Sequence, residues 1–324
     1  MSTQEVIRVG TRSSALAVAQ GGLVADAVGA SHPGVKVELV TFTTRGDRSP
    51  GSLGEIGGKG LFTAELESAL RSGRIDLAVH SAKDLPVDLP EGLVIACVPP
   101  REDVRDALVS RGGGPIQLLP ARATVGTGSL RRAAQLLAVR GDLEIVPIRG
   151  NVDTRLRKVL ADPEPALDAT VLAMAGLKRS GLLDAHRDCI CPLGIEQCVP
   201  AAGQGALAVE CAARDQRAVG LSERIGDDRS MQALLAERDV VRALGADCRS
   251  CLAVHVAPAG VAWRGWGMAA RPDGGGMIRR VAEAATARGA AAALLEAMGR
   301  GGARELLRGQ AAGDRPGTNV DIED

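Results

Sequence analysis

Between Ala123 and Arg179 the chain repeats one pattern three times: a short β-rich run, a polar turn bearing arginine or lysine, and the start of a helical run. Ala123-Thr124-Val125-Gly126 leads into Thr127-Gly128-Ser129-Leu130-Arg131-Arg132 and a helix to Val139. Leu143 to Ile148 leads into Arg149-Gly150-Asn151-Val152-Asp153-Thr154-Arg155 and a helix to about Ala161, and Ala169 to Ala173 leads into Gly176-Leu177-Lys178-Arg179. Strands alternating with helices at this spacing confine the chain to an α/β architecture. Such folds keep their ligand sites at strand ends, so the turns put Arg131, Arg132, Arg149, Arg155 and Arg179 where a ligand would lie. Hydroxyls and backbone N–H groups at the helix starts add donors, and guanidinium forks match carboxylate or phosphate. The dinucleotide fingerprint is excluded at the first turn, because the third glycine of G-x-G-x-x-G would fall on Arg131.

The N-terminal third shows related units. Ile7-Arg8-Val9-Gly10 predicts a strand, Thr11-Arg12-Ser13-Ser14 a polar turn whose hydroxyls can cap the helical run Ala15 to Ala30, and Val35 to Thr43 a second strand. Arg12 is thereby placed at a helix N-terminus, as either an anion ligand or a solvated side chain. The run Ile75 to Val79 ends in His80-Ser81-Ala82-Lys83-Asp84-Leu85-Pro86, which sets a cation beside an anion where a strand enters a proline-closed turn. A structural salt bridge and a reactive pair both fit that adjacency. From Arg48 to Gly60 glycine is too frequent for a regular element, and a mobile loop is expected. Its end, Gly57-Gly58-Lys59-Gly60, is no phosphate loop: Leu53 stands where the first glycine is required and Gly60 where Ser or Thr is. Lys59, just ahead of the helical run from Leu61 and Phe62, is either the cation of a lid or part of a solvated loop.

Two crossings divide the chain. Pro99-Pro100-Arg101-Glu102-Asp103 leaves the first unit, and Val199-Pro200-Ala201-Ala202-Gly203-Gln204-Gly205 returns to it. The expected organisation is a discontinuous first domain (1–100 and 197–219), a second (101–196) with the ligand held in the cleft between them, a small α+β third (220–308) and a disordered tail (309–324). In the third, a helix from about Met231 to Leu244, strands Leu252 to Val256 and Val261 to Met268, and a helix from Val281 to Met298 are predicted.

Composition narrows the function. Lysine plus arginine and aspartate plus glutamate each total 39, so no net field selects nucleic acid or membrane. Phe42, Phe62, Trp263 and Trp266 are the only aromatics, which removes base-stacking platforms. The N-terminal residues lack a basic segment leading into an apolar one, and no stretch approaches roughly eighteen apolar residues, so a cytoplasmic protein is expected. Among seven cysteines, Cys97, Cys198 and Cys211 read as small core residues, while Cys189-x-Cys191 and Cys248-x-x-Cys251 could bear chemistry.

Together the segments from Thr11 to Ala17, Gly57 to Phe62, His80 to Pro86, Val125 to Arg132, Arg149 to Leu156, Ala175 to Arg179 and Gly203 to Leu207 resemble the porphobilinogen deaminase (hydroxymethylbilane synthase) family. The resemblance implies three α/β domains, the first two related to type II periplasmic binding proteins, and a dipyrromethane cofactor in thioether linkage to a cysteine of the third. It implies that four porphobilinogen molecules are condensed head to tail on that cofactor, with loss of ammonia, and that hydroxymethylbilane is then released by hydrolysis. Counted from Glu237-Arg238, the attachment cysteine is Cys248, preceded by Ala246-Asp247 where the family has two glycines; a metal role for Cys248 and Cys251 is the alternative, and no metal is expected. Ala15 replaces a proline common in the family. Arg12, Ser14, Lys83, Thr127, Ser129, Arg131, Arg132, Arg149, Arg155, Arg179 and Gln204 are then expected to hold the carboxylates of cofactor and substrate, with Lys59 and Phe62 on the lid. Asp84 is expected to be catalytic, either stabilising the azafulvenium cation formed as ammonia leaves or delivering a proton to the leaving amine. The expected partners are porphobilinogen and, for the product, uroporphyrinogen-III synthase, with the enzyme a monomer that binds neither nucleic acid nor membrane.

Overall fold

The computed structural model describes residues 5–44, 46, 63–160, 166–247 and 250–311. Its first sheet contains β1 (Glu5–Arg12), β2 (Val35–Phe42), β3 (Leu77–Ser81) and β4 (Leu93–Cys97), and is completed by β10 (Leu207–Ala212) from the far side of the second unit. The second contains β5 (Asp106–Ser110), β6 (Thr124–Gly126), β7 (Glu144–Val146), β8 (Ala169–Ala173) and β9 (Ile190–Pro192). Their orders are β2-β1-β3-β10-β4 and β7-β6-β8-β5-β9. These are one arrangement used twice. In each sheet four strands run in one direction, and the strand that follows a crossing is inserted antiparallel between the third and the last of them, β10 in one and β5 in the other. This doubled α/β topology is the type II periplasmic-binding-protein form, with the first domain discontinuous.

Alternation along the strands sorts the first sheet's side chains onto two faces. Ile7, Val9, Leu77, Val79, Leu207 and Val209 pack with Val24 and Val28 of α1 (Ala15–Ser31). On the other face Ala78 and Leu93 meet Ile75 and the apolar side of α2 (Ala64–Arg71) through Leu66, Ala69 and Leu70. Each such aliphatic side chain contributes roughly 1.5–3 kcal/mol on burial, enough to hold a core with almost no aromatics. Gly10 lets that layer close, because a Cβ there would stand 2.3 Å from Ile75 Cδ1.

On the second sheet α3 (Leu130–Val139), α4 (Val152–Leu160) and α5 (Met174–Arg179) follow β6, β7 and β8, as the three turns predicted, and the short α6 (Leu182–Ala185) follows α5. The first turns of α1, α4 and α5 face one another, with Leu16 and Val152 both against Gly176. α7 (Gln216–Glu223) returns to the first core through Ala218, with Ile225 just beyond it.

The third unit is an antiparallel meander of β11 (Leu252–Ala259), β12 (Ala262–Ala269) and β13 (Ile278–Ala284), covered by α8 (Asp228–Leu244), α9 (Ala287–Arg300) and α10 (Ala303–Ala311). Two expectations are corrected here. Val281 to Ala284 belong to β13, since pairing with β12 overrides the helix-forming alanines, and the helix starts only after the Thr286 cap, whose side chain accepts from Gly289 N–H. The expected tail begins too early: α10 runs to Ala311, anchored by Ala303 and Leu307 in the third core, and of the expected tail 312–324 lie outside the described residues.

Among the described residues no helix is long and apolar enough to cross a membrane.

Candidate active site

β3 ends at Ser81, and Ala82–Asp84 form one turn of 3-10 helix that lifts Lys83 and Asp84 off the sheet edge. Ala82 and Leu85 are buried on either side and pin the turn. The returning crossing lies against it. Gly203 has φ 74°, and a Cβ there would stand 2.9 Å from Lys83 N, so only glycine brings Gln204 this close. Gln204 is fully buried; its Oε1 accepts from Lys83 Nζ at 3.3 Å, and its Nε2 donates to Asp106 at 2.9 Å.

Positive charge from the second sheet gathers on the same point. Arg131 and Arg132 open α3 and are buried, bound to the Asp106 carboxylate with closest contacts of 2.7 Å each. Burial lowers the Lys83 pKa to about 8, with Arg132 and Arg131 acting in the same direction and Asp84 and Asp106 opposing. Arg155 of α4 is likewise lowered, by burial and by Arg132, against the attraction of Asp84. Lys83, Arg131, Arg132 and Arg155 are thus four cations held around two carboxylates, Asp84 and Asp106. Burial is the first cause of both shifts, with neighbouring cations adding to it, so a carboxylate arriving beside Lys83 and Arg155 would stabilise their charged forms. The donor set therefore fits a polycarboxylate such as dipyrromethane.

The remaining expected residues lie as follows. Asp84 is exposed and shares with Arg12, Gln20, Thr63, His80 and Ser81 a small cavity of about 30 Å³. Arg12 is the last residue of β1 rather than part of a helix start, and Ser14, although at the N-cap of α1, makes no side-chain capping bond. Ser129 caps α3 by accepting from Arg132 N–H, and Thr127 Oγ1 accepts from Ser129 N–H, which leaves both hydroxyl protons to donate. Arg179 donates to Gly205 O at 2.7 Å beside Gln204. Arg149 is exposed in the turn before α4. Lys59, Phe62 and Cys248 lie outside the described residues. Cys251 is fully buried, its Sγ 3.4 Å from Leu130 O and its pKa pushed up by burial to about 12, the environment of an inert core thiol. Among the described residues no cluster of three His, Cys, Asp or Glu could hold a metal ion.

Three participants escaped the sequence reading. Asp106 sits just past the crossing's charge cluster, where only the sheet topology shows that it faces α3. Gln20 accepts from Ser81 Oγ at 3.1 Å, and a lone glutamine inside an alanine-rich helix carries no signal. His80 is in the recognised motif, but its partner Glu210, 3.0 Å away and fully buried, lies 130 residues on.

Residues 7–220 match the family model described as porphobilinogen deaminase, dipyromethane cofactor binding domain. The porphobilinogen deaminase of Syntrophotalea carbinolica is 44% identical over 286 residues, covering 88% of this chain and 89% of that one. That of Roseiflexus castenholzii is 43% identical over 306 residues, covering 94% and 99%. Among solved structures, the periplasmic aliphatic sulphonate binding protein SsuA from Escherichia coli aligns with a TM-score of 0.40 at 15% identity, covering 74% of this chain and 70% of that one. With more than half its length inside the family model, and relatives matched almost end to end, this chain belongs to the porphobilinogen deaminase family.

Proposed function

We propose that this protein is a transferase of tetrapyrrole biosynthesis that condenses four porphobilinogen molecules head to tail with loss of ammonia and releases hydroxymethylbilane. The observation that carries the reading is the surplus of cations around Asp84 at the meeting of the two sheets. Each porphobilinogen bears an acetate and a propionate, so every addition brings two carboxylates into the cleft. Lys83, Arg131, Arg132 and Arg155 meet that charge together with Arg12, Arg149 and Arg179, each well-made charged hydrogen bond contributing roughly 1.5–3 kcal/mol. Ser14, Thr127, Ser129 and Gln204 supply the neutral contacts. When bound, dipyrromethane supplies the primer to which porphobilinogen is joined; we assign its thioether attachment to Cys248.

Asp84 is the exposed acid of this set. Its carboxylate stabilises the positive charge that develops on the substrate as the amine departs, and its second role is to hand a proton to that amine. Lys83 beside it is a carboxylate holder. To Lys59 and Phe62, which lie outside the described residues, we assign the lid role that the family resemblance implies. We place the first domain at 1–100 with 197–225, the second at 101–196 and the third at 226–311; the first is carried to Ile225 because that residue packs on the first core. We further assign the protein to the cytoplasm, as a monomer that passes its product to uroporphyrinogen-III synthase. The test is to incubate the purified, cofactor-loaded protein with porphobilinogen. Substrate loss with uroporphyrin colour after acid oxidation is expected; a loaded sample without turnover contradicts the reading.

A further inference from the structure

Asp106 opens β5 and is fully buried, yet it is the most heavily bonded carboxylate near the site. Arg131 Nη1 donates to it at 2.7 Å, Arg132 Nε and Nη2 at 3.0 and 2.7 Å, Gln204 Nε2 at 2.9 Å, and Cys198 Sγ approaches to 3.3 Å. The two guanidinium groups are held further by Val199 O, 2.6 Å from Arg131 Nη1, and Val171 O, 2.9 Å from Arg132 Nη1. Among the described residues, Nε and Nη2 of Arg131 have no partner. The protein thus engages every guanidinium nitrogen of Arg132 and leaves the Nε–Nη2 edge of Arg131 for a ligand.

Gln204 extends the arrangement across the crossing. Its Nε2 binds Asp106 and Val104 O, while its Oε1 takes the ammonium of Lys83, from the other sheet, at 3.3 Å. An amide used at both ends fixes the separation of the groups it joins, and here it joins a carboxylate of the second sheet to a cation of the first.

We propose that Asp106 is a positioning residue for the condensation: it orders Arg131 and Arg132 and, through Gln204, couples them to Lys83 beside Asp84, so that substrate carboxylates meet one preorganised set of cations drawn from both sheets. The proposal rests on the porphobilinogen reading above. Preorganisation of this kind lowers the cost of binding, because the guanidinium groups need no reordering when the ligand arrives.

Two variants of the cofactor-loaded enzyme test it, Gln204→Met, which cuts the bridge and keeps the charges, and Asp106→Asn, which removes the charge and keeps the shape. Lys83 is faced by Asp84 on its own turn, Arg131 and Arg132 of α3, Asp106 of β5 and Gln204 of the crossing. Loss of either the bridge or the carboxylate therefore makes its proton easier to remove. The expected result for both variants is a KM for porphobilinogen raised by roughly tenfold, with the basic limb of the kcat/KM profile moved down by roughly one pH unit. A purely structural role would lower Tm without moving KM or the limb, and that outcome in Gln204→Met overturns the proposal even if Asp106→Asn fails to fold. Absence of turnover in the parent enzyme overturns the functional reading and this proposal with it, whereas a normal parent with variants that match it overturns the proposal alone.

Discussion

Arg101 and Glu237 form a two-armed ion pair, Nη1 to Oε1 at 2.7 Å and Nη2 to Oε2 at 3.0 Å, that fastens the outgoing crossing to the long helix α8. The same carboxylate accepts from Gly203 N–H at 2.6 Å on the returning crossing, and from Val256 N–H, with His255 Nδ1 3.0 Å away. One fully buried side chain of the third unit thus grips both crossings between the other two. Glu237→Gln leaves Arg101 buried with half its partner, so a stability loss of about 3–5 kcal/mol is expected, read as a shift in the denaturant midpoint.

The same residue sets an acid limit. Burial alone would raise the Glu237 pKa, but the charge of Arg101 and the hydrogen bond from His255 outweigh it and hold the value down to about 2, below the 4.5 of a free glutamate. A depressed carboxyl contributes stability that is complete above about 4.5 and is lost as pH falls towards 2. Equilibrium unfolding between those limits should therefore show a pH-dependent loss that is smaller in Glu237→Gln than in the parent, the remainder coming from other depressed carboxyls such as Asp106.

Lys83 sets a limit at the other end. Burial and the charges of Arg132 and Arg131 bring it down to about 8, so porphobilinogen binding should weaken as pH rises through that value. Lys83→Met is expected to flatten this part of the kcat/KM profile and to raise KM by roughly tenfold or more, one charged hydrogen bond being lost.

Arg238 of α8 works at a distance from the chemistry. Its Nη2 donates to Pro86 O at 2.7 Å and Val87 O at 2.8 Å, holding the chain just after Asp84. Arg238→Met should lower kcat by roughly tenfold through looser placement of the Asp84 turn, with cofactor content unchanged by intact mass.

For the cysteines the expectation is a clean division. Intact mass should show an added dipyrromethane that is lost in Cys248→Ala and kept in Cys251→Ala, because the Cys251 thiol is enclosed between Leu130 and Arg271. Retention in Cys248→Ala would move the attachment site.

The α/β class and the three arginine-bearing turns are legible in the sequence because each is a local pattern of strand run, turn and helix start, and the return of β10 to the first sheet follows from where the second crossing falls. Partnerships across the crossings are not. Arg131 and Arg132 read as ligand-facing cations, yet much of their hydrogen bonding goes to Asp106, and nothing within the segment from Asp106 to Arg131 shows that β5 lies antiparallel beside β8. Val281 to Ala284 were misread as helix because alanine propensity is local, whereas their pairing with Trp263 to Trp266 is not.

The most direct measurement is porphobilinogen consumption by the cofactor-loaded parent, Asp84→Glu and Asp84→Asn enzymes side by side. With Asp84 supplying negative charge to the developing cation, the parent turns over, Asp84→Glu retains activity and Asp84→Asn loses it by several orders of magnitude. An Asp84→Asn enzyme that turns over like the parent would contradict the placement of the chemistry at this residue.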